Sequence, residues 1–179
     1  MQENRRISNL CLIGFMGTGK TSVARLASEL LQFSFLDTDD WIQAHAGCSV
    51  SDIFQHRGEA AFREMEREAV RHLEGLTKTV IATGGGLSAQ GDNLENLKKH
   101  SLVVCLWASP EKIWDRVKSQ SHRPLLNDSD PKARIRQLLA QREPFYKRAD
   151  ILMNTELRTI REVAQQVVLQ FRLAASEQK

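Results

Sequence analysis

The sequence predicts an α/β fold in which a parallel β-sheet is covered by helices on both faces. Five short apolar segments alternate along the chain with longer segments whose apolar residues recur at helical spacing. None of the five shows a clear apolar-polar alternation, which is typical of strands buried on both sides in parallel sheets. The chain has 179 residues, the usual length of one domain, so we expect a single three-layer domain over residues 1–179.

Each predicted strand is a short apolar run bounded by glycine or polar residues. The five strands span residues 9–13, 33–36, 80–82, 102–107 and 151–153. The first helix is indicated by apolar residues on one face, namely Val23, Leu26, Ala27, Leu30 and Leu31. The predicted helices span residues 20–31, 60–73, 93–99, 110–117, 131–148 and 159–174. We expect the irregular stretch at residues 118–130 to be a mobile lid.

The composition, 41% hydrophobic and 26% charged, is that of an ordinary folded domain and excludes a disordered or collagenous chain. The 25 basic and 22 acidic residues are spread along the chain, so we expect no nucleic-acid partner. No apolar run approaches the roughly 18 residues of a membrane span, and residues 1–9 lack a secretory signal, so we expect no membrane partner. Cys11, Cys48 and Cys105 are too far apart to suggest a disulfide framework or a zinc site. We therefore expect a cytoplasmic protein, and a monomer.

The strongest chemical signal is the segment GFMGTGKT at residues 14–21, which lies between a predicted strand and a predicted helix. In such a phosphate-binding loop the backbone N–H groups surround phosphate oxygens, and the helix N-terminus adds partial positive charge. Lys20 would reach the β and γ phosphates, and the Thr21 hydroxyl would bind Mg²⁺. We therefore predict nucleoside triphosphate binding; the alternative is a glycine-rich turn without a ligand.

Acidic residues follow the second predicted strand in the sequence Asp37-Thr38-Asp39-Asp40. At the carboxyl end of a strand close to Lys20, Asp37 would reach the Mg²⁺ shell while Asp39 points toward a substrate hydroxyl. The alternative is that Asp37 or Asp39 caps a helix that begins before Trp41.

A run of three glycines, at residues 84–86, follows the third predicted strand and would let the backbone approach a ligand closely. A strained turn is the alternative for such a triplet. Arg63, Arg123 and Arg142 are the arginines that we single out, because a guanidinium fork can hold a carboxylate or a phosphate at two points. The alternative for any arginine is a solvated position on the surface.

These features occur in an order that resembles the shikimate kinase family from about Leu10 to Val168. The similar segments are residues 14–21, 36–39, 47–54, 58–63 with Glu66, 83–86, 123–126 and 142–146. The resemblance implies a P-loop kinase fold of the nucleoside-monophosphate-kinase type, with a five-stranded parallel sheet. It also implies ATP-dependent phosphorylation of shikimate at its 3-hydroxyl, which gives shikimate 3-phosphate and ADP on the route to chorismate and aromatic amino acids.

The resemblance also implies roles for individual residues. The ATP-binding residues would be Gly17, Thr18, Gly19, Lys20, Thr21, Ser22, Arg116, Arg123 and Arg158. The shikimate-binding residues would be Asp39, Arg63, Gly85 and Arg142. Mg²⁺ would be bound by Thr21 and, through water, by Asp37, and the catalytic residues would be Lys20, Asp39 and Arg123.

Two other functions compete with this one. A P-loop kinase of another small carboxylic polyol such as gluconate, or of a nucleotide, would share the phosphate loop. A nucleotide acceptor would need a pocket for its base, whereas Arg63 with Arg142 suits a small carboxylic acid. A regulator without catalysis would be expected to lack Lys20, Asp39 or the lid arginine, and this chain has all three.

Overall fold

The computed structural model describes residues 5–119 and 130–176. Its strands and helices alternate along the chain. In chain order they are β1 (Asn9–Ile13), α1 (Lys20–Leu31), β2 (Ser34–Asp37), α2 (Thr38–Ala46), α3 (Val50–Leu73), β3 (Thr79–Ala82), α4 (Asn93–His100), β4 (Ser101–Trp107), α5 (Pro110–Val117), α6 (Pro131–Tyr146), β5 (Ile151–Asn154) and α7 (Ile160–Ser176). A short 3₁₀ turn, Leu87–Ala89, lies between β3 and α4.

The five strands form one parallel sheet in the order β2-β3-β1-β4-β5. The central strand is β1, in which Leu10 pairs with Val80 of β3 on one side and with Leu102 of β4 on the other. Because all strands are parallel, their carboxyl ends lie at one edge, which is where ligands bind in open α/β sheets. The predicted α/β class and the five-stranded parallel sheet are confirmed.

Alternate residues of β1 enter two separate hydrophobic cores. Leu10 and Leu12 pack with residues of α1 and α7 on one face of the sheet. Cys11 and Ile13 pack on the other face, with residues of α3, α4, α5 and α6. Both faces are therefore covered, which explains why the strands show no apolar-polar alternation in the sequence.

The segment after β2 is more helical than the sequence predicts. Helix α2 follows β2 directly, and α3 begins at Val50 rather than at residue 60. Gly58 interrupts α3 with φ 79° and ψ 173°, and this break in the helical pattern explains why only the second half was predicted. The other predicted elements are confirmed to within two residues at each end, and β1, α1 and α5 match at both ends.

Most of the predicted lid lies outside the described residues. Of residues 118–130, only Lys118, Ser119 and Asp130 are described, and Asp130 caps α6 by accepting a hydrogen bond from the Ala133 N–H at 3.0 Å. Within 5–119 and 130–176, no helix has both the length and the apolar character needed to cross a membrane.

Candidate active site at the carboxyl edge of the sheet

The loop between β1 and α1 has a backbone that only glycine can adopt at its first residue. Gly14 has φ 134°, and a Cβ there would lie 2.1 Å from the backbone oxygen of Leu106 in β4. Gly19 occupies the N-cap position of α1 in the left-handed conformation. Because Gly19 has no side chain to cap the helix, the first N–H groups of α1 can bind an anionic group.

The ammonium of Lys20 lies inside this loop. Its Nζ donates a hydrogen bond to the backbone oxygen of Phe15 at 2.9 Å, and the Thr18 hydroxyl donates to the same oxygen at 2.7 Å. Lys20 is buried, with 8% of its surface exposed. The sequence motif therefore folds into a loop that surrounds its own lysine.

The two oxygens of Asp37 have different partners. Oδ2 accepts a hydrogen bond from the Thr21 hydroxyl at 2.9 Å, and Oδ1 accepts one from the Asp39 N–H at 3.0 Å. Asp37 is thus the N-cap of α2 and also the partner of the phosphate loop. Hydroxyl and carboxylate oxygens are the hard ligands that Mg²⁺ prefers, so Thr21 and Asp37 fit a magnesium site.

The carboxylate of Asp39 lies against the glycine triplet. A Cβ on Gly84 would lie 2.6 Å from Asp39 Oδ1, so this close approach requires glycine. The buried hydroxyl of Thr38 accepts a hydrogen bond from the Gly84 N–H at 2.9 Å, which joins the start of α2 to the end of β3.

The phosphate loop, the acidic residues and the triplet enclose a cleft of about 290 Å³. Its lining residues are Met16, Gly17, Gly19, Lys20, Thr21, Ser22, Asp37, Asp39, Thr83, Gly85 and Arg116. Most of the residues that the sequence assigned to ATP and magnesium therefore lie in the same cavity as Asp39 and Gly85.

Arg63 is held beside this cleft by two carboxylates of its own helix. Its Nη1 lies 2.7 Å from Glu66 Oε2, and its Nη2 lies 2.8 Å from Glu59 Oε1. Burial raises the pKa of Glu66, against the opposing effect of Arg63. Burial alone would lower the pKa of Arg63, but Glu66 and Glu59 outweigh it and raise that pKa.

Arg142 approaches the same place from α6. Its Nη1 donates to the Gly85 carbonyl at 3.1 Å, and its guanidinium lies 5.4 Å from the ring centroid of Phe15. A Cβ on Gly86 would lie 3.1 Å from Arg63 Nη1 and 3.3 Å from Arg142 Nη2. Two guanidinium groups that are 79 positions apart in the sequence therefore converge on one glycine.

The remaining predicted ATP-binding arginines have different surroundings. Arg116 lines the cleft and donates to the Gly17 carbonyl at 3.2 Å and to the Thr155 hydroxyl at 3.0 Å. Arg158 lies in the exposed turn after β5, and the structure does not bring it into the lining of the cleft. Arg123 lies outside the described residues.

Thr38 and Tyr146 contact this site, and the sequence motifs assign no role to either. The hydroxyl of Tyr146 donates a hydrogen bond to the Gly85 carbonyl at 2.7 Å. The spacing of Arg142 and Tyr146, four residues apart on a predicted helix, was the available signal that the two face the same way.

Comparison of the sequence with known proteins matches it to shikimate kinases. The sequence model of the shikimate kinase family matches residues 16–172. A shikimate kinase from Thermodesulfovibrio yellowstonii is 41% identical over 165 residues, which cover 92% of this chain and 95% of that protein. A shikimate kinase from Thermus thermophilus is 42% identical over 169 residues, which cover 94% and 92%.

Comparison of the structure with solved structures also finds a shikimate kinase. A shikimate kinase from Acinetobacter baumannii, solved in complex with shikimate, superposes with a TM-score of 0.88 at 36% identity and 95% coverage of both chains. A gluconokinase from Sinorhizobium meliloti superposes with a TM-score of 0.63 at 13% identity over 97% of both chains. The second likeness concerns the fold alone.

Proposed function

This chain belongs to the shikimate kinase family, and we propose how its residues share the ATP-dependent phosphorylation of shikimate that the family performs. The enzyme is an ATP-dependent kinase of a small carboxylic acid. Its cleft at the carboxyl edge of the sheet has a phosphate-binding side, an acceptor side and a carboxylate between them.

The phosphate-binding side receives ATP. The N–H groups of residues 17–22 surround the phosphates, and the Lys20 ammonium exchanges the Phe15 carbonyl for phosphate oxygens. Arg116 and Arg158 contact the adenine end, and Arg123 covers the phosphates from the lid. Thr21 and, through water, Asp37 would hold Mg²⁺, which when bound would neutralise charge on the phosphate oxygens.

The acceptor side binds shikimate through its carboxylate. Arg63 and Arg142 approach the same position beside Gly86, where both guanidinium groups can donate hydrogen bonds to one carboxylate. Gly85 offers its backbone to the substrate ring, because no side chain stands in the way. We expect the ring hydroxyls to face Asp39, which lines the same cleft as Lys20.

Asp39 aligns the acceptor hydroxyl for in-line attack on the γ-phosphorus. A bond forms between the hydroxyl oxygen and phosphorus, the bond from phosphorus to the β-γ bridging oxygen breaks, and the hydroxyl proton passes to the Asp39 carboxylate. Lys20 and Arg123 stabilise the charge that develops on the transferred group. Closure of the lid keeps water from competing as the acceptor.

We further propose that the enzyme acts as a cytoplasmic monomer. The proposal assigns no residue of a partner subunit to the site. The proposal of a cytoplasmic location rests on the wide spacing of Cys11, Cys48 and Cys105 in the sequence, which does not suggest a disulfide framework.

One observation supports this assignment of the acceptor most strongly: two guanidinium groups converge on Gly86, in the same glycine triplet whose first residue, Gly84, lies against the Asp39 carboxylate. A nucleotide acceptor brings phosphates and a base, whereas this arrangement suits a small anion that carries hydroxyl groups.

The test is an ADP-release assay with shikimate, gluconate and nucleoside monophosphates as parallel acceptors. We expect ADP release with shikimate and almost none with the others. Lys20→Ala is the control, because it removes the ammonium that acts on phosphate charge while keeping the fold. Preference for gluconate or for a nucleotide, or normal turnover by Lys20→Ala, would contradict the assignment.

A further inference from the structure

The side chain of Tyr146 is buried at the end of α6, with 6% of its surface exposed. The ring packs in the core beneath the sheet, in the cluster that contains Cys105. The hydroxyl is its polar end, and it donates to the Gly85 carbonyl at 2.7 Å. A phenylalanine would fill the same volume, so the hydroxyl is not needed for packing.

The same carbonyl oxygen accepts a second hydrogen bond, from Arg142 Nη1 at 3.1 Å. Arg142 and Tyr146 are four residues apart on α6, so the two side chains lie on one face of the helix. One peptide group of the glycine triplet is thus held by two donors from a single turn of α6.

That peptide group is also the central peptide of a turn, which the Leu87 N–H closes by donating a hydrogen bond to the Gly84 carbonyl at 3.2 Å. Glycine has the widest conformational freedom of any residue, so the three glycines have no side chains of their own to fix the direction of this carbonyl. The peptide between Gly85 and Gly86 is planar and trans, so turning its carbonyl toward α6 turns the Gly86 N–H the opposite way. The Tyr146 hydroxyl therefore orients backbone groups on both residues.

The hydroxyl is a donor throughout the pH range in which a kinase operates. Burial raises the pKa of the Tyr146 phenol well above its ordinary value, against the opposing effect of the neighbouring Arg142. The phenol stays protonated, and its contact with Gly85 does not change with pH.

We propose that Tyr146 is a positioning residue for shikimate, whose hydroxyl holds the Gly85 carbonyl at the place where Arg142 also binds it. This fixes the Arg142 guanidinium beside Gly86, at the position that Arg63 also approaches. The inference rests on the proposed function, because it assigns the shikimate carboxylate to these two arginines.

The test is Tyr146→Phe, which keeps the ring and removes the hydroxyl. One neutral hydrogen bond is lost, so we expect the KM for shikimate to rise about three- to tenfold. The KM for ATP and the melting temperature should change little, and kcat should fall less than the KM rises.

Leu138→Ala is the matched control, since Leu138 is a buried residue of the same helix. It should lower the melting temperature clearly and leave the KM for shikimate near the wild-type value. A double variant with Arg142→Lys completes the test. If Tyr146 acts through Arg142, the double variant should raise the KM for shikimate by less than the product of the two single effects.

An unchanged KM for shikimate in Tyr146→Phe would overturn the inference, and so would an equal rise in the KM for ATP or multiplicative effects in the double variant. A wild-type enzyme that is inactive on shikimate but active on another acceptor would overturn the proposed function, and this inference with it. Wild-type activity on shikimate separates the two cases.

Discussion

Asp37 and Asp39 are two residues apart in the sequence and both line the cleft, but their carboxylates have different contacts. Both oxygens of Asp37 accept hydrogen bonds, from the Thr21 hydroxyl and from the Asp39 N–H. The carboxylate of Asp39 instead lies against Gly84 and lines the cleft. Asp37 therefore suits a metal-supporting role, and Asp39 suits contact with the acceptor.

Asp39→Asn should lower kcat by roughly a hundredfold or more, the usual loss when a general base is removed. The KM for ATP should stay within about twofold, because Asp39 is assigned to the acceptor and not to the nucleotide. Steady-state kinetics with both substrates varied measure the two effects. The control is Asp40→Asn, because Asp40 is exposed on the next position of α2. A parallel loss of ATP affinity and turnover would instead identify Asp39 as a structural residue.

Arg63→Lys and Arg142→Lys each keep the positive charge and lose the guanidinium fork. We expect each variant to raise the KM for shikimate about tenfold. The double variant should raise this KM by less than the product of the two single effects, because both arginines act on one carboxylate. Arg67→Lys is the control on α3, because Arg67 pairs with Glu64 on the exposed surface. Calorimetric titration of shikimate checks the result, and unchanged affinity in both single variants would refute the carboxylate clamp.

At the scale of elements, the break in α3 determines the direction of the helix that carries Arg63. Gly58 has φ 79° and ψ 173°, a conformation that is essentially restricted to glycine. The two halves of α3 are in contact across the break, because the rings of Phe54 and Phe62 pack together with centroids 4.7 Å apart and planes tilted by 40°. Gly58 thus allows a bend whose far side holds Arg63 near the triplet.

Gly58→Ala should lower the free energy of unfolding by about 1–3 kcal/mol. The cost is backbone strain alone, since a Cβ at this position would meet no atom within 4 Å. Gly75→Ala is the control, because Gly75 has an ordinary φ and its nearest neighbour would be 3.9 Å away. Urea denaturation of both variants measures the difference. Equal stability of the two would show that the bend does not depend on glycine.

At the scale of the whole molecule, Arg5, which precedes the first strand, is bound to Asp150, the residue before the last strand. Arg5 Nη1 lies 2.8 Å from Asp150 Oδ1, and Asp150 Oδ2 accepts the Val103 N–H at 2.8 Å. Burial alone would raise the pKa of Asp150, but Arg5, the Val103 N–H and Lys98 outweigh it and hold that pKa below its ordinary range. This pair joins residues that are 145 positions apart.

Asp150→Asn should lower the free energy of unfolding at pH 7 by roughly 2 kcal/mol, since it leaves Arg5 without its ionised partner. Because the pKa of Asp150 is lower in the folded than in the unfolded protein, ionised Asp150 stabilises the fold. This stabilisation is complete above about pH 4, where an unfolded aspartate is ionised, and it is lost as the pH falls through the folded pKa. The difference between wild type and variant should therefore shrink below pH 4. Asp115→Asn, at an exposed pair, is the control in chemical denaturation at several pH values. A difference that is independent of pH would contradict this role for the Asp150 charge.

The sequence by itself determined the features that depend on neighbouring residues. The bounds of β1 and α1 and the phosphate loop between them were predictable, because apolar runs, glycines and helical spacing act within one short segment. The parallel sheet with two covered faces was also predictable, since strands without alternation must be buried on both sides. The start of α3 was missed because Gly58 interrupts the local pattern.

Only the tertiary structure decided which distant residues meet. The sequence did not specify that Arg63 and Arg142 would approach the same glycine, or that Tyr146 would bind the Gly85 carbonyl. It also left open whether Asp37 caps a helix or reaches a magnesium shell, and the structure shows that it caps α2 and also accepts a hydrogen bond from the Thr21 hydroxyl. Such contacts depend on strand order and on how α3 and α6 pack on the sheet. That packing follows from burial summed over the whole chain, and no single segment contains it.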